Sequence, residues 1–249
     1  MKSRTLTQSG LALAIAAAGL AQSAVAAGFI EDSKANLTLR NFYINTDNRN
    51  GPVTSSQPSK YEEWGQGFLL NYTSGFTEGT VGFGVDALGL LGVRLDSGKG
   101  THYNPTSSAF SGTVFPTDSD GRAVDDFAHL GATGKVKVSN TLLQYGTLLP
   151  KLPVVTYNDG RLLPQTFEGG QVTSNEFKDL TLLGGQLEHM KGRSSSNNEG
   201  LSIAGANNAQ TGQFVNKFYY GGADYKLTKD LTLQYYYGNL EDFYKQHFL

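Results

Sequence analysis

Basic residues at two places in the chain stand where they could bind a carboxylate. Arg161 follows the turn-forming run Asn-Asp-Gly at 158–160 and precedes Leu-Leu-Pro. A guanidinium binds a carboxylate through two parallel hydrogen bonds, so Arg161 is the first candidate for holding a small anion. Lys135 and Lys137 flank Val136 and share the polar face of a predicted strand. Such charges, facing a narrow aqueous path, would select the sign of a passing solute.

These candidates also have plainer interpretations, which the sequence leaves open. Arg161 could simply pair with Asp159 at a solvated turn, where an ion pair contributes little. Lys135 and Lys137 could be solvated, or could extend their methylene chains over an apolar surface.

Asp159 and four further residues complete the set of candidate solute-binding residues. Arg40 lies on the strand face opposite two leucines, which suggests an inward position. Asp86 shares a polar strand face with two glycines and could balance or pair with the basic residues. Arg122 lies in a predicted loop at 120–126, either at a pore mouth or on plain surface. Tyr236 has the polar parity of its strand and could stack on an aromatic acid.

The sequence offers no catalytic or metal-binding pattern. Four histidines, at 102, 129, 189 and 247, are isolated, and neither His-Glu-x-x-His nor Gly-x-Ser-x-Gly occurs. The absence of cysteine removes disulfides, thiolate metal sites and cysteine nucleophiles. Glu62 and Glu63 are adjacent, so they lie on opposite strand faces, and we expect both at a loop-end surface. We therefore expect no enzyme and no cofactor or metal.

The composition is polar without being charged. Gly accounts for 31 of 249 residues, while hydrophobic residues make up 39% and charged residues 17%, both below globular norms. The formal net charge of −2 argues against a nucleic-acid partner.

Apolar and polar residues alternate with a period of two, which predicts an all-β chain. Phe68, Leu70 and Tyr72 fall on one face of such a segment, with Gly67 and Asn71 on the other. No segment of similar length has a helical apolar stripe, and the glycines inside the segments disfavour helix. The predicted strands cover residues 37–44, 66–73, 81–86, 130–138, 141–148, 180–188, 217–226 and 231–238.

The first 26 residues predict export. Lys2 and Arg4 precede an apolar run at 10–20, and Ala24-Val-Ala provides small residues for a cleavage site. A signal peptide over residues 1–26 leaves residues 27–249 as the mature chain. The run is interrupted too early for a spanning helix, and no later run approaches about 18 apolar residues.

The predicted connectors are short at one end of the strands and long at the other. The long ones, at 47–59, 96–125 and 192–212, are rich in Ser, Asn, Gly and Thr. Export, alternating strands and this asymmetry are typical of an outer-membrane β-barrel, which turns its apolar face to lipid and encloses water. Phe68, Val81 and Val136 should then face outward. Periodicity alone leaves a secreted soluble β-sandwich as an alternative.

A group of tyrosines fits the aromatic girdles found at the two membrane interfaces. It comprises Tyr219, Tyr220, Tyr225, Tyr235, Tyr236 and Tyr237.

Six stretches, taken together and in order, resemble the OprD family of outer-membrane, substrate-selective porins. They are residues 28–33, 39–43, 79–92, 146–153, 158–166 and 240–246. The resemblance implies a barrel of about 18 strands, narrowed by inward-folded loops and lined by basic side chains. Arg161 lies in the stretch that resembles the family's pore-narrowing third loop and its neighbouring strand. Family members pass amino acids, aromatic acids and similar small carboxylates by facilitated diffusion.

The length predicts fewer strands than the family barrel has. At roughly 22 residues per strand and connector, residues 27–249 supply about ten strands, so we expect an N-terminal part of a porin. Two interpretations stay open: a channel for small carboxylates, or a non-conducting truncated fragment with unpaired edges. The expected partners are outer-membrane lipid, small carboxylate solutes and the barrel assembly machinery, with a homotrimer as the expected assembly.

Overall fold

The protein is one large antiparallel sheet with a short helix at its N-terminal side. The computed structural model describes residues 27–47, 49–50, 59–98, 100–102, 114–203 and 214–249. The elements are α1 (Ala27–Glu31), β1 (Lys34–Asp47), β2 (Lys60–Thr73), β3 (Val81–Asp96), β4 (Asp126–Val138), β5 (Thr141–Leu148), β6 (Lys151–Leu152), β7 (Val155–Thr156), β8 (Thr166–Phe177), β9 (Leu180–Lys191), β10 (Glu199–Gly200), β11 (Phe218–Thr228), β12 (Leu231–Leu240) and β13 (Tyr244–Phe248). The predicted signal peptide lies outside the described residues.

Ten strands follow one path in the order β1-β2-β3-β4-β5-β8-β9-β11-β12-β13, and each pairs antiparallel with its neighbours. Strand β10 adds to β9, whereas β6 and β7 form a separate hairpin. Within the described residues, β1 pairs only with β2 and β13 only with β12, so the sheet is an open part of a barrel. A single sheet of this kind rules out the two-layer soluble sandwich.

The outward face of this sheet is apolar and exposed, as the alternation predicts. Leu39 lies opposite Phe68, and Phe68 opposite Leu91, so cross-strand neighbours build a continuous apolar surface. Phe68 and Val81 are 36% and 41% exposed, and no dry centre forms around them. Surface of this kind is stable only against acyl chains, so it is the lipid-facing side. None of the helical residues that the structure describes forms an apolar stretch long enough to span a bilayer.

Two apolar clusters cover part of the inward face, so the interior is not lined by polar groups alone. The first cluster consists of Leu69, Leu88, Leu90, Val114, Phe115, Ala123, Phe127, Leu162 and Leu163. The second consists of Leu148, Val154, Phe167, Leu187, Met190, Leu201, Phe218, Tyr220, Tyr236 and Leu240. The inward face of the barrel, which was predicted to enclose water, is therefore partly apolar.

The connector between β5 and β8, residues 149–165, is the inward segment that joins these clusters. It carries the β6–β7 hairpin, contributes Leu162 to the first cluster and contributes Val154 to the second. Glycines in the wall make room for it: a Cβ at Gly65 would lie 2.8 Å from Leu162 Cδ2, and one at Gly238 3.1 Å from Val154 Cβ. The inward segment thus crosses the concave side of the sheet from one part of the wall to another.

All eight predicted strands are present, but the sequence analysis did not predict α1, β6, β7, β8, β10 or β13. Strand β8 was not predicted because its outward positions include Gly170 and Ser174, which leave little apolar alternation. The five-residue β13 and the β6–β7 hairpin are too short for a periodic signal. Strands β2 and β3 also extend further toward the long connectors than the apolar pattern does.

We predict that Gly146→Ala destabilises the sheet. Gly146 has φ of 137°, a conformation that other residues rarely adopt, and a Cβ there would collide with the Ala132 carbonyl oxygen. We expect the free energy of unfolding to fall by about 1–3 kcal/mol or more. The measurement is the urea midpoint of unfolding in detergent, followed by the fluorescence of Trp64. Gly134→Ala is the control, because its nearest contact would be 3.9 Å away. Equal midpoints for the two variants would contradict the steric conflict at position 146.

Candidate functional site

Arg40 fastens the tip of the inward segment to the wall. Its Nη1 donates to Asp159 Oδ1 at 2.7 Å and to the Arg161 carbonyl oxygen at 2.8 Å, while Nη2 donates to Asp159 Oδ2 at 3.1 Å. Arg40 lies on the inward face of β1, as its parity predicts. Asp159 therefore pairs with Arg40, and the alternative in which it pairs with Arg161 is wrong.

The tip is a closed turn built by the residues that predicted it. The main-chain amide of Gly160 donates to Asn158 Oδ1 at 3.0 Å, and the main-chain amide of Asn158 donates to Gln165 Oε1 at 3.1 Å. The main-chain amide of Gln165 donates to the main-chain carbonyl oxygen of Asn158 at 2.8 Å, which closes the loop. These bonds satisfy the backbone locally, so the direction of Arg161 is set by its own turn.

Two guanidinium groups, of Arg161 and Arg193, meet beside this turn. A Cβ on Gly160 would lie 3.4 Å from Arg193 Nη1, which shows how closely the Arg193 side chain covers the turn. Burial and the neighbouring charge of Arg161 lower the pKa of Arg193, although a guanidinium remains charged at neutral pH. The Arg161 Nε atom is buried without a hydrogen-bond partner among the described residues.

No carboxylate in the described parts of the chain forms an ion pair with Arg161 or Arg193. Two adjacent positive charges without a counter-ion are an arrangement that an anion would stabilise. Arg193 was missed by the sequence, because it lies in a Ser- and Asn-rich connector where no periodic pattern distinguishes it from solvated surface.

Lys135 and Lys137 both lie on the inward face of β4, but their surroundings differ. Lys135 is 5% exposed, with its Nζ 2.6 Å from Asp86 Oδ1 and donating to the Ser74 carbonyl oxygen at 3.0 Å. Lys137 is exposed and forms no ion pair among the described residues; its Nζ lies 5.6 Å from the Phe76 ring centre. Asp86 therefore neutralises one lysine and leaves the other open to solvent.

Tyr236 is on the inward face but has no ring face available for a solute. Its side chain is 3% exposed in the second cluster and covers Gly222, and its hydroxyl donates to Asp224 Oδ2 at 2.7 Å. The prediction that it stacks on an aromatic acid is thus corrected. Tyr220 is buried in the same cluster, so these two tyrosines do not belong to an interfacial girdle, whereas Tyr219, Tyr225 and Tyr235 are exposed on the outward face.

Arg122 stays apart from the other candidates. It is exposed in a turn where its amide donates to Asp120 Oδ1 at 2.9 Å and its Nε lies 3.4 Å from Asp120 Oδ2. Asp120 thereby accounts for its charge at the surface.

Glu63 corrects a further expectation, because it is fully buried rather than at a loop surface. Its Oε1 lies 2.5 Å from His102 Nδ1, His102 Nε2 lies 2.8 Å from Thr117 Oγ1, and the Val114 amide donates to Glu63 Oε2 at 2.6 Å. The order hydroxyl, imidazole, carboxylate resembles a catalytic relay, but the Glu63 and His102 side chains are both enclosed. The network holds the β3–β4 connector against β2.

Comparisons with known proteins agree with this architecture. The family model for "outer membrane porin, OprD family" matches residues 27–249. The chain belongs to the OprD family. It is 42% identical over its whole length to the "Porin-like protein GalP" of Pseudomonas putida, of which it covers 57%. This membership makes it an outer-membrane protein.

Solved OprD-family structures share its fold. Pseudomonas aeruginosa OccK8 (OprE) is 68% identical with a TM-score of 0.76, over 88% of this chain and 49% of that one. P. aeruginosa OpdK, solved with vanillate, is 37% identical with a TM-score of 0.74, over 88% of this chain and 52% of that one. The chain thus spans about half the length of the family members it matches.

We predict that Arg40→Ala frees the tip of the inward segment. Loss of the bidentate bond to Asp159 leaves the turn attached only through its apolar neighbours. A charged hydrogen bond contributes roughly 1.5–3 kcal/mol. The backbone amides of the turn should therefore exchange with solvent at least about tenfold faster. Hydrogen exchange over 158–161 measures this. Arg122→Ala, which removes another arginine from an exposed pair, is the control. Unchanged exchange in Arg40→Ala would contradict the clamp.

Proposed function

We propose that this chain forms the basic constriction of a passive outer-membrane channel for small carboxylate-bearing solutes. The observation that carries the proposal is the pair of guanidinium groups, Arg161 and Arg193, which have no counter-ion among the described residues. A low-dielectric wall focuses such a charge into the aqueous path and raises the local concentration of anions.

The named residues divide into contacting and positioning roles. Arg161 and Arg193 contact the carboxylate, for which a guanidinium offers paired donors. Arg40 and Asp159 position the turn that carries Arg161. Lys137 is a second attractive charge nearer the short turns, whereas Lys135 stabilises the wall through Asp86.

The similarity to OpdK supports the solute class. That protein was solved with vanillate, which is an aromatic carboxylate. For this channel, the solute stays a prediction that specifies only a carboxylate group. Interaction with the barrel assembly machinery and a homotrimeric assembly also stay predictions.

A second candidate follows from the unpaired edges of β1 and β13. If the chain exists alone, these edges leave backbone groups unsatisfied in lipid, and the product is a non-conducting fragment. Electrophoresis in detergent distinguishes the two, because a closed barrel migrates faster before heating and an open sheet does not.

We predict that Arg161→Ala and Arg193→Ala each weaken block by a carboxylate. The chain, completed by the C-terminal half of OccK8, is placed in planar bilayers, and current block by benzoate is measured. Loss of one charge-assisted contact of about 1.5–3 kcal/mol should weaken block about tenfold or more. Arg122→Ala should change nothing. Unaltered block of the current by benzoate in both variants would contradict the proposed basic constriction.

A further inference from the structure

The wall of the sheet is split beside β4. Strand β4 pairs with β3 along its whole length, from Asp126 to Val138, but pairs with β5 only from Thr133 to Val138. Residues 126–132 therefore have a strand neighbour on one side only within the described residues. At about 3.3 Å per residue, the one-sided stretch is roughly 23 Å long.

The split arises where the chain turns inward. Gly146, with its positive φ, bends β5 away from β4, and Thr147 and Leu148 continue only along β8, opposite Glu168 and Phe167. The inward segment begins at the next residue. No described strand therefore takes the place of β5 beside residues 126–132 of β4. The wall is thus divided by the same departure that creates the constriction.

A cavity lies on each side of this split. The outward cavity has a volume of about 210 Å³ and is lined by Leu130, Ala132, Tyr145 and Thr147, among others. The inward cavity has a volume of about 280 Å³ and is lined by Thr133, Gln144, Gln171 and Thr147, among others. Of the described residues, Thr147 alone belongs to both linings.

Thr147 closes the split by its side chain. A Cβ on Gly131 would lie 2.5 Å from Thr147 Oγ1, so the threonine fills the space that a side chain at 131 would occupy. Thr133 Oγ1 donates to the Thr147 carbonyl oxygen at 2.5 Å and holds this residue in place. At the level of Gly131, this one hydroxyl-bearing side chain therefore lies between the inward and outward cavities.

We propose that this split is a side opening, gated by Thr147, that admits water and small amphiphiles between the channel interior and the bilayer. Unpaired backbone groups of β4 cannot face hydrocarbon, so the split requires a polar occupant. The outward mouth carries Leu130, which is 80% exposed, and Tyr145, together with Glu168 and Glu188, whereas the inward mouth carries hydroxyl and amide groups. An amphiphile whose apolar tail lies along Leu130 and Tyr145, with a small hydrogen-bonding head toward Thr147, fits these two linings. The proposal does not depend on carboxylate selectivity.

The test measures water access from the outward face in lipid nanodiscs. Ala132→Cys, at the split, is labelled with a membrane-impermeant sulfonate thiol reagent. Ala223→Cys, on the outward face of β11 with strands on both sides, is the matched control. We expect Cys at 132 to react at least about tenfold faster than Cys at 223. Equal rates would overturn the opening.

Two further comparisons test the gate and the amphiphile. Adding Thr147→Ala should speed the labelling at 132 severalfold, whereas Thr147→Val, which keeps the side-chain volume, should not; no difference between them removes the gate. 1-Octanol should slow labelling at 132 and glycerol should not. Failure of octanol to protect overturns the amphiphile assignment, even if water enters.

Discussion

Backbone hydrogen bonding in a medium without water is the constraint on which this structure depends. Backbone groups that face lipid must be hydrogen-bonded, and an apolar surface must cover them. The inward segment escapes this rule only because it supplies its own bonds: the β6–β7 pair, the Tyr157 amide to the Pro150 carbonyl oxygen at 2.9 Å, and the closed turn at 158–165. The chain can leave the wall because the inward segment forms backbone hydrogen bonds within itself.

Apolar contacts set the position of that segment, and charge sets its orientation. Leu162 and Val154 anchor it to opposite parts of the wall, and each buried side chain of this size contributes roughly 1.5–3 kcal/mol. Arg40 then holds the turn through Asp159 and the Arg161 carbonyl oxygen. The combination explains why glycines recur on the inward face, where any side chain at Gly65 or Gly238 would displace the anchors.

The sequence predicted the parts of the fold that follow from periodicity. The outward positions of β1 to β4 and the inward positions of Lys135 and Lys137 follow from strand alternation, which needs no tertiary information. The distinction between those two lysines could not be predicted, because it depends on Asp86 and Ser74, which reach Lys135 across the sheet. The burial of Glu63 could not be predicted for the same reason, since its partners His102 and Val114 are distant in the chain.

Neutralisation, rather than net charge, decides which basic residues can act on a solute. The chain is slightly acidic overall, and several of its cations are already paired: Arg40 with Asp159, Lys135 with Asp86 and Arg122 with Asp120. Arg161, Arg193 and Lys137 have no carboxylate partner among the described residues, and the two arginines lie beside Gly160 in the turn of the inward segment. An acidic protein can therefore attract anions, because the field at a constriction depends on the nearest uncompensated charges, and distant ones are screened within about 10 Å.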